Sequence, residues 1–305
     1  MALILNCPNT NQISVEEYLN HIESKVDLRD PDSVIASAHM LRALANDRNL
    51  VVSRLNAYVE EAFGASGLAS AQVILLGRRK DFYVRANLWP SAADVGAGRM
   101  YQDQFSYNIA HDHNFSFLTV GYLGPGYETD IYEYDYDKVE GYVGEKVDIR
   151  FLEKVRFAAN MAMYYRPSRD LHIQYPPSEM TITLNLMIVP PEIRLREQYE
   201  FDLATKTISR LPSELEASRR VAFVMLSARL GDGNTAQLLE DLAQQHPCRR
   251  TRLTAWQSLS VLRPDEAQRF WEKASADSAP LVANHARRRL ETGRLVFSEA
   301  NTLRQ

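Results

Sequence analysis

Three histidines in this chain are spaced so that they can close on one cation: His111 and His113 in the run AHDHN, and His172 in DLHIQ. Residues i and i+2 of a strand point to the same face, so the first two imidazoles converge if AHDH enters a strand. Neutral imidazole ligates iron, nickel, copper or zinc. An HxH pair in a chain with 7 histidines arises easily by chance, and each histidine taken singly reads as a solvated turn residue. Placement carries the argument instead. His172 falls on a second expected strand, while His21, His39, His246 and His285 all fall in expected helices or their connections.

The elements that must position these groups fall into three stretches. From Ser14 to Phe63 the pattern is helical. Ser14 and Glu17 predict a capping box ahead of Tyr18, Leu19 and Ile22. A second helix opens at Pro31-Asp32 and carries Val34, Ile35, Ala38, Leu41, Leu44 and Ala45. A third runs from Val51 to Phe63 and closes at Gly64. From Ala71 to about Pro191 the chain is short, aromatic and β-branched, with Gly, Pro and Asp between runs. About eight strands without intervening helices predict an antiparallel sandwich or barrel of the jelly-roll class. After Pro212 the helical pattern returns. RRVAFVMLSARLGD, TRLTAWQSLSVLRPD and NHARRRLETG align on Ala222, Ala255 and Ala286, a spacing expected of paired, HEAT-like helices, with a plain helical bundle as the alternative. The fold class expected is thus α+β. Its divisions are an N-terminal helical segment over 1–70, a β-barrel over 71–211 and a C-terminal helical region over 212–305.

Composition narrows the function classes. A formal charge of −4 with both signs interspersed gives no electrostatic case for nucleic acid or an anionic membrane. Two cysteines, Cys7 and Cys248, cannot staple a chain of 305 residues, so a reducing compartment is the default. The N-terminus lacks a basic flank before its short apolar run, and no window is long enough to span a bilayer. These features predict a cytoplasmic protein. No GxGxxG or P-loop occurs, and Gly121, Gly124 and Gly126 sit at a hairpin rather than before a helix. The arginines Arg249, Arg250, Arg252 and Arg287 to Arg289 give the C-terminal helices a basic edge, expected to be solvated, with docking of an acidic protein partner as the alternative.

The HDH run with a later strand histidine resembles the cupin superfamily over roughly residues 71 to 191. The first cupin motif follows HxH with a glutamate, but Phe117 and Leu118 stand at those positions here. What remains is a three-histidine set similar to that of the thiol dioxygenases, whose first motif also reads HDH. The resemblance implies a non-haem iron oxygenase that takes O2 and a small-molecule, carrier-bound or peptidyl substrate. Fe(2+) is the implied metal, with Zn, Ni or Mn in an isomerase, lyase or hydrolase as the alternative, and a metal-stabilised binding module as a third. It also implies a substrate carboxylate on Arg85 and a role near the metal for Tyr175. The family's crosslinked cysteine has no counterpart, since Cys7 and Cys248 lie outside the barrel region, which argues against a small thiol as substrate. Tyr107, Tyr122, Tyr127, Tyr132, Tyr134 and Tyr164 are further cavity candidates, although strand-forming core residues would look the same. Glu128 and Glu133 are expected to face solvent, with a catalytic acid/base role as the alternative, and Asp112 to point away from the imidazoles.

Overall fold

Side-chain alternation along the strands decides how the chain is layered. The computed structural model describes residues 3–62, 72–96, 105–159, 161–212 and 216–302. It is α+β and divides into two compact units: Met1–Tyr136, Lys146–Ile193 and Glu200–Thr207, and then Asp137–Glu145, Arg194–Tyr199 and Ile208–Gln305.

In chain order the elements are β1 (Leu3–Asn6), α1 (Val15–Lys25), α2 (Pro31–Ala36), α3 (Ala38–Leu44), α4 (Leu50–Ala62), β2 (Val73–Arg78), β3 (Phe82–Trp89), α5 (Ala92–Gly96), β4 (Ala110–Asp112), β5 (Ser116–Leu123) and β6 (Tyr127–Glu133). There follow β7 (Arg150–Phe157), β8 (Met161–Tyr165), β9 (Asp170–Gln174), β10 (Thr181–Ile188), β11 (Glu200–Asp202) and β12 (Thr207–Arg210). Among the described residues the strands make two six-stranded sheets, ordered β1-β8-β5-β10-β3-β2 and β12-β11-β4-β9-β6-β7. The eight long aromatic runs all contain strands. Strands β1, β4, β11 and β12 were not anticipated as separate elements, because three or four residues carry too little periodicity to read.

The first sheet is buried on both faces, and β10 has no exposed residue at all. One face presents Val84, Ala86, Leu118, Val120, Leu184 and Leu186 to Tyr18, Leu19, Ile22, Val34, Leu41 and Leu44 of the N-terminal helices. Alternate residues on the opposite face join Trp89, Phe117, Met163 and Met187 to Tyr127, Ile131, Val155 and Phe157 of the second sheet. The helices α1 to α3 therefore cover an apolar sheet face that would otherwise meet water.

The Ser14–Glu17 capping box forms: Ser14 Oγ accepts from Glu17 N at 3.2 Å, and Glu17 Oε2 accepts from Ser14 N at 2.7 Å. The helix expected from Pro31 through Ala45 instead breaks into α2 and α3 at Ser37. Its hydroxyl donates to Val34 O at 2.7 Å, the local bond by which serine competes with a helical ladder. The expected closure at Phe63 and Gly64 lies outside the described residues.

Arg42 on α3 is 5 % exposed and ties the helix layer to the sheet. Its Nη1 donates to Gly121 O at 2.6 Å and to Ala159 O at 2.7 Å, and its Nη2 to Asn46 Oδ1 at 2.8 Å. Arg42→Met keeps the apolar stem but strands those carbonyls. It should cost about 3 kcal/mol, read as a drop in the denaturation midpoint with the slope unchanged; a shift under about 0.5 kcal/mol would count against this role.

The second unit contains α6 (Glu216–Leu230), α7 (Gly233–Gln245), α8 (Arg249–Leu262), α9 (Ala267–Ala274) and α10 (Pro280–Thr302), packed around Leu239, Ala255, Trp256, Phe270, Trp271 and Ala286. Ala255 and Ala286 are fully buried, but Ala222 is exposed and its neighbour Val221 is buried instead. The first of the three aligned segments is thus out of register with the other two. Among the described residues, no helix is long and apolar enough to cross a membrane.

Candidate metal centre

His111 lies on β4, and His172 lies on β9, the strand hydrogen-bonded to it; the two residues are direct register partners. His113 follows one residue past the end of β4, so i,i+2 alternation returns it to the face of His111. Its carbonyl accepts from Ser168 N at 2.6 Å, which fixes the chain where the strand ends. The ring centroids lie 4.6 to 5.2 Å apart. Three histidines that the sequence separates by up to 61 positions are thereby brought into one cluster.

Their Nε2 atoms turn inward. His172 Nε2 is 3.1 Å from His113 Nε2 and 3.3 Å from His111 Nε2. One potential ligand atom from each residue lies within 4.8 Å of the others. Metal–nitrogen bonds of about 2.0–2.1 Å at 90–109° would place neighbouring nitrogens about 2.8–3.4 Å apart, and both short separations fall in that range. His111 Nδ1 is 2.9 Å from Ile109 O. Donation there puts the proton on Nδ1 and the lone pair on Nε2, the tautomer a ligand needs. Three facing lone pairs repel unless a cation or a shared proton sits between them. The donor set therefore fits a divalent ion bound by nitrogen.

Burial holds the imidazoles neutral. Desolvation pushes His113 and His172 well below the ordinary imidazole value, with repulsion from neighbouring histidines adding to it and Arg85 contributing at His113. His111 is lowered too, mainly by burial, against an opposing hydrogen bond to Ile109 O and the Glu200 charge. Below about pH 6.5 the unfolded chain binds protons at these sites while the native chain does not. Stability of the metal-free protein should therefore be full above that pH and fall as pH drops through it, by about 1.4 kcal/mol per pH unit for each proton. Urea midpoints between pH 7.5 and 5 test this, and a midpoint indifferent to pH would contradict it.

A cavity of about 70 Å³ opens beside the histidines. One water occupies about 10–15 Å³ on this measure, so it takes roughly five to seven such groups. Phe117 is one of its walls, stacked on Tyr165 at 4.4 Å. Trp89 and Tyr127, with ring centroids 5.1 Å apart, form another.

The structure divides the remaining site expectations. Arg85 lines the cavity, its Nε buried without a hydrogen-bond partner among the described residues and its pKa lowered by burial. Tyr175 does not line it. An odd offset from His172 sends the tyrosine to the other face, where its hydroxyl donates to Asp130 Oδ2 at 2.8 Å and Lys154 covers its ring at 5.1 Å. Burial and Asp130 push the Tyr175 phenol up to about 12. Tyr175 thus lies on the outer face, away from the cavity. Asp112 does point away from the imidazoles; it is 1 % exposed and accepts from Tyr134 Oη at 2.7 Å. Of the six tyrosine candidates, only Tyr127 lines the cavity among the described residues. Glu128 is half-exposed beside Lys154, whereas Glu133 is largely covered by Arg150, Arg166 and Arg169.

Sequence reasoning missed Asn87, Gln174 and Asn185, which also line the cavity. Asn87 is two residues from Arg85 and Gln174 two from His172, so strand alternation alone could have found both. Asn185 interrupts the apolar run TLNLM, a signal of its own. Gln72, another lining residue, ends a turn and carries no such mark.

No protein-family model matches the chain, and no curated protein matches it. Among solved structures it is similar to the DMSP lyases RdDddP and RnDddQII, at 10 % identity and TM-score 0.23 over 38 % of this chain and 46 % of that one. The chain thus spans less than half of that relative's length. A hydroquinone 1,2-dioxygenase from Sphingomonas sp. TTNP3, with 4-hydroxybenzoate bound, matches at 11 % identity and TM-score 0.26, over 41 % and 70 % of the two chains. A cupin domain from Bordetella pertussis Tohama I matches at 10 % identity and TM-score 0.21, over 41 % and 100 %. TM-scores this low carry no argument about the chemistry of this chain.

Proposed function

We propose that this chain is a metal-dependent enzyme of the cupin type. Residues 71–211 form its barrel, and His111, His113 and His172 hold one divalent ion. The observation that carries the reading is the meeting of three Nε2 atoms at 3.1 and 3.3 Å inside a two-sheet fold. Our preferred metal is Fe(2+), and our preferred reaction is oxygenation of a small molecule by O2. Such an ion supplies Lewis acidity, and in the case of iron also electron transfer to O2.

The residues of the chain have distinct tasks in this proposal. Ile109 O holds the His111 ring in its ligand tautomer. Arg85 binds an anionic group of the substrate, since its guanidinium has no carboxylate of its own among the described residues. Trp89, Phe117 and Tyr127 exclude water from the reacting face. Three imidazoles suit zinc or nickel as well as iron, which supports a second reading: an isomerase, lyase or hydrolase that does not use O2. For the C-terminal helices we propose HEAT-like pairs that dock a protein, supported by the common burial of Ala255 and Ala286.

Metal analysis of protein purified without oxygen, followed by O2-electrode screening of small carboxylic acids, tests the assignment. Iron with substrate-dependent O2 uptake is the expected result. Tight zinc or nickel with turnover but no O2 uptake would move the enzyme to the second reading, and protein that retains no divalent metal would overturn both.

A further inference from the structure

Beside the histidines, part of the inner face of the first sheet is polar where a core would be apolar. Arg85 on β3, Asn185 on β10 and Thr119 on β5 are register partners across three adjacent strands, so their side chains form one row. Thr119 Oγ1 donates to Asn185 Oδ1 at 2.6 Å. In the next row, Asn87 on β3 is the partner of Thr183 on β10. Thr183 Oγ1 accepts from Trp89 Nε1 at 3.1 Å. All of these except Thr183 line the cavity beside the histidines, as does Gln72.

Among the described residues, three atoms of this lining are buried without a hydrogen-bond partner: Arg85 Nε, Asn87 Oδ1 and Gln72 Nε2. Gln72 and Asn87 are 9 % and 5 % exposed, so bulk water does not satisfy them. Each such group is costly to bury unless a ligand or an ordered water meets it. Together they offer a charged donor, a neutral donor and a neutral acceptor. Among the described residues no aspartate or glutamate lines the cavity. An ammonium group entering it would meet Arg85, and the metal when bound, with no counter-charge to offset its desolvation.

We infer that the cavity is built for a small anion that carries no amine: Arg85 takes its carboxylate, and Gln72 with Asn87 takes an uncharged hydroxyl or amide. This deepens the enzyme reading above and rests on the same cavity. It assigns Gln72 and Asn87 as specificity-determining residues, and it separates hydroxy acids or acid amides from amino acids of equal size.

Lactate, alanine and propionate are the probes, because lactate differs from alanine by hydroxyl for ammonium and from propionate by that hydroxyl alone. Their binding is measured by calorimetry at millimolar concentrations, on metal-loaded protein and on protein stripped with chelator. Lactate is expected to bind at least about 10-fold more tightly than alanine and more tightly than propionate. Gln72→Leu and Asn87→Leu should each reduce the lactate-to-propionate ratio towards one while leaving propionate itself bound. Asn87→Asp, which supplies the missing carboxylate, should shift preference towards alanine. Alanine binding as well as lactate, a ratio unmoved by both leucine variants, or no binding of any probe in either form would overturn the inference. Failure of the metal reading looks different: the protein would retain no metal, while the stripped form still preferred lactate.

Discussion

His172→Ala should leave a folded protein that no longer retains a divalent ion. His172 is 1 % exposed and contributes both of the short nitrogen–nitrogen separations in the cluster, so its removal takes away the imidazole that joins the other two. Loss of groups that only orient a ligand costs about 10–100-fold in metal affinity, and loss of a ligand itself should exceed that. The fold should survive, because the strand register through β9 depends on backbone bonds and the removed ring carries a desolvation cost of its own. The discriminating measurement is the melting temperature against added Fe(2+), Zn(2+), Ni(2+) or Mn(2+). Wild type should rise with metal concentration by mass action, and the variant should stay flat. Equal rises in the two proteins would show that His172 is not a ligand.

The second large effect is on stability, at Gly126. The turn Gly124-Pro125-Gly126 reverses the chain between β5 and β6, and Gly126 adopts φ +88°, a region that side chains with a Cβ rarely enter. A Cβ built there would lie 1.7 Å from Phe157 O, a backbone atom of the partner strand that cannot rotate aside. Gly126→Ala must therefore displace β6 from β7 at the pair Tyr127–Phe157, next to the cavity wall formed by Tyr127. The expected cost is about 4 kcal/mol, or roughly 10 °C in Tm for a domain of this size. Gly233→Ala is the matched control, since nothing lies within 4 Å of the added Cβ at the start of α7. That change should stay within about 0.5 kcal/mol of wild type. Thermal melts followed by circular dichroism compare the two, and similar small shifts in both would contradict the turn geometry.

These two sites differ in how far the sequence announces them. Gly124-Pro125-Gly126 marks a sharp turn wherever it occurs, because glycine alone tolerates positive φ without cost. The Ser14–Glu17 box is equally local and formed as expected. So did the alternating runs that became β3, β5 and β10. The pairing of His111 with His113 also needed only strand alternation.

Much else depended on strand order, which no local pattern encodes. His172 is the register partner of His111 because β9 lies between β4 and β6. A single-residue change in that register would have sent its ring to the far side of the sheet. Arg85 reaches the cavity because β3 pairs with β10, and a buried guanidinium without a carboxylate becomes visible only when its neighbours are known. Tyr175 shows the converse. The family resemblance implied a role for it near the metal, yet an odd offset from His172 on a strand means opposite faces. Composition and local periodicity thus determined the element types, the turns and two of the three clustered histidines. Tertiary structure decided which strands became neighbours, and so which polar groups were buried together without partners. Long-range pairing is selected by the burial of whole faces, a property of the folded chain rather than of any short segment of it.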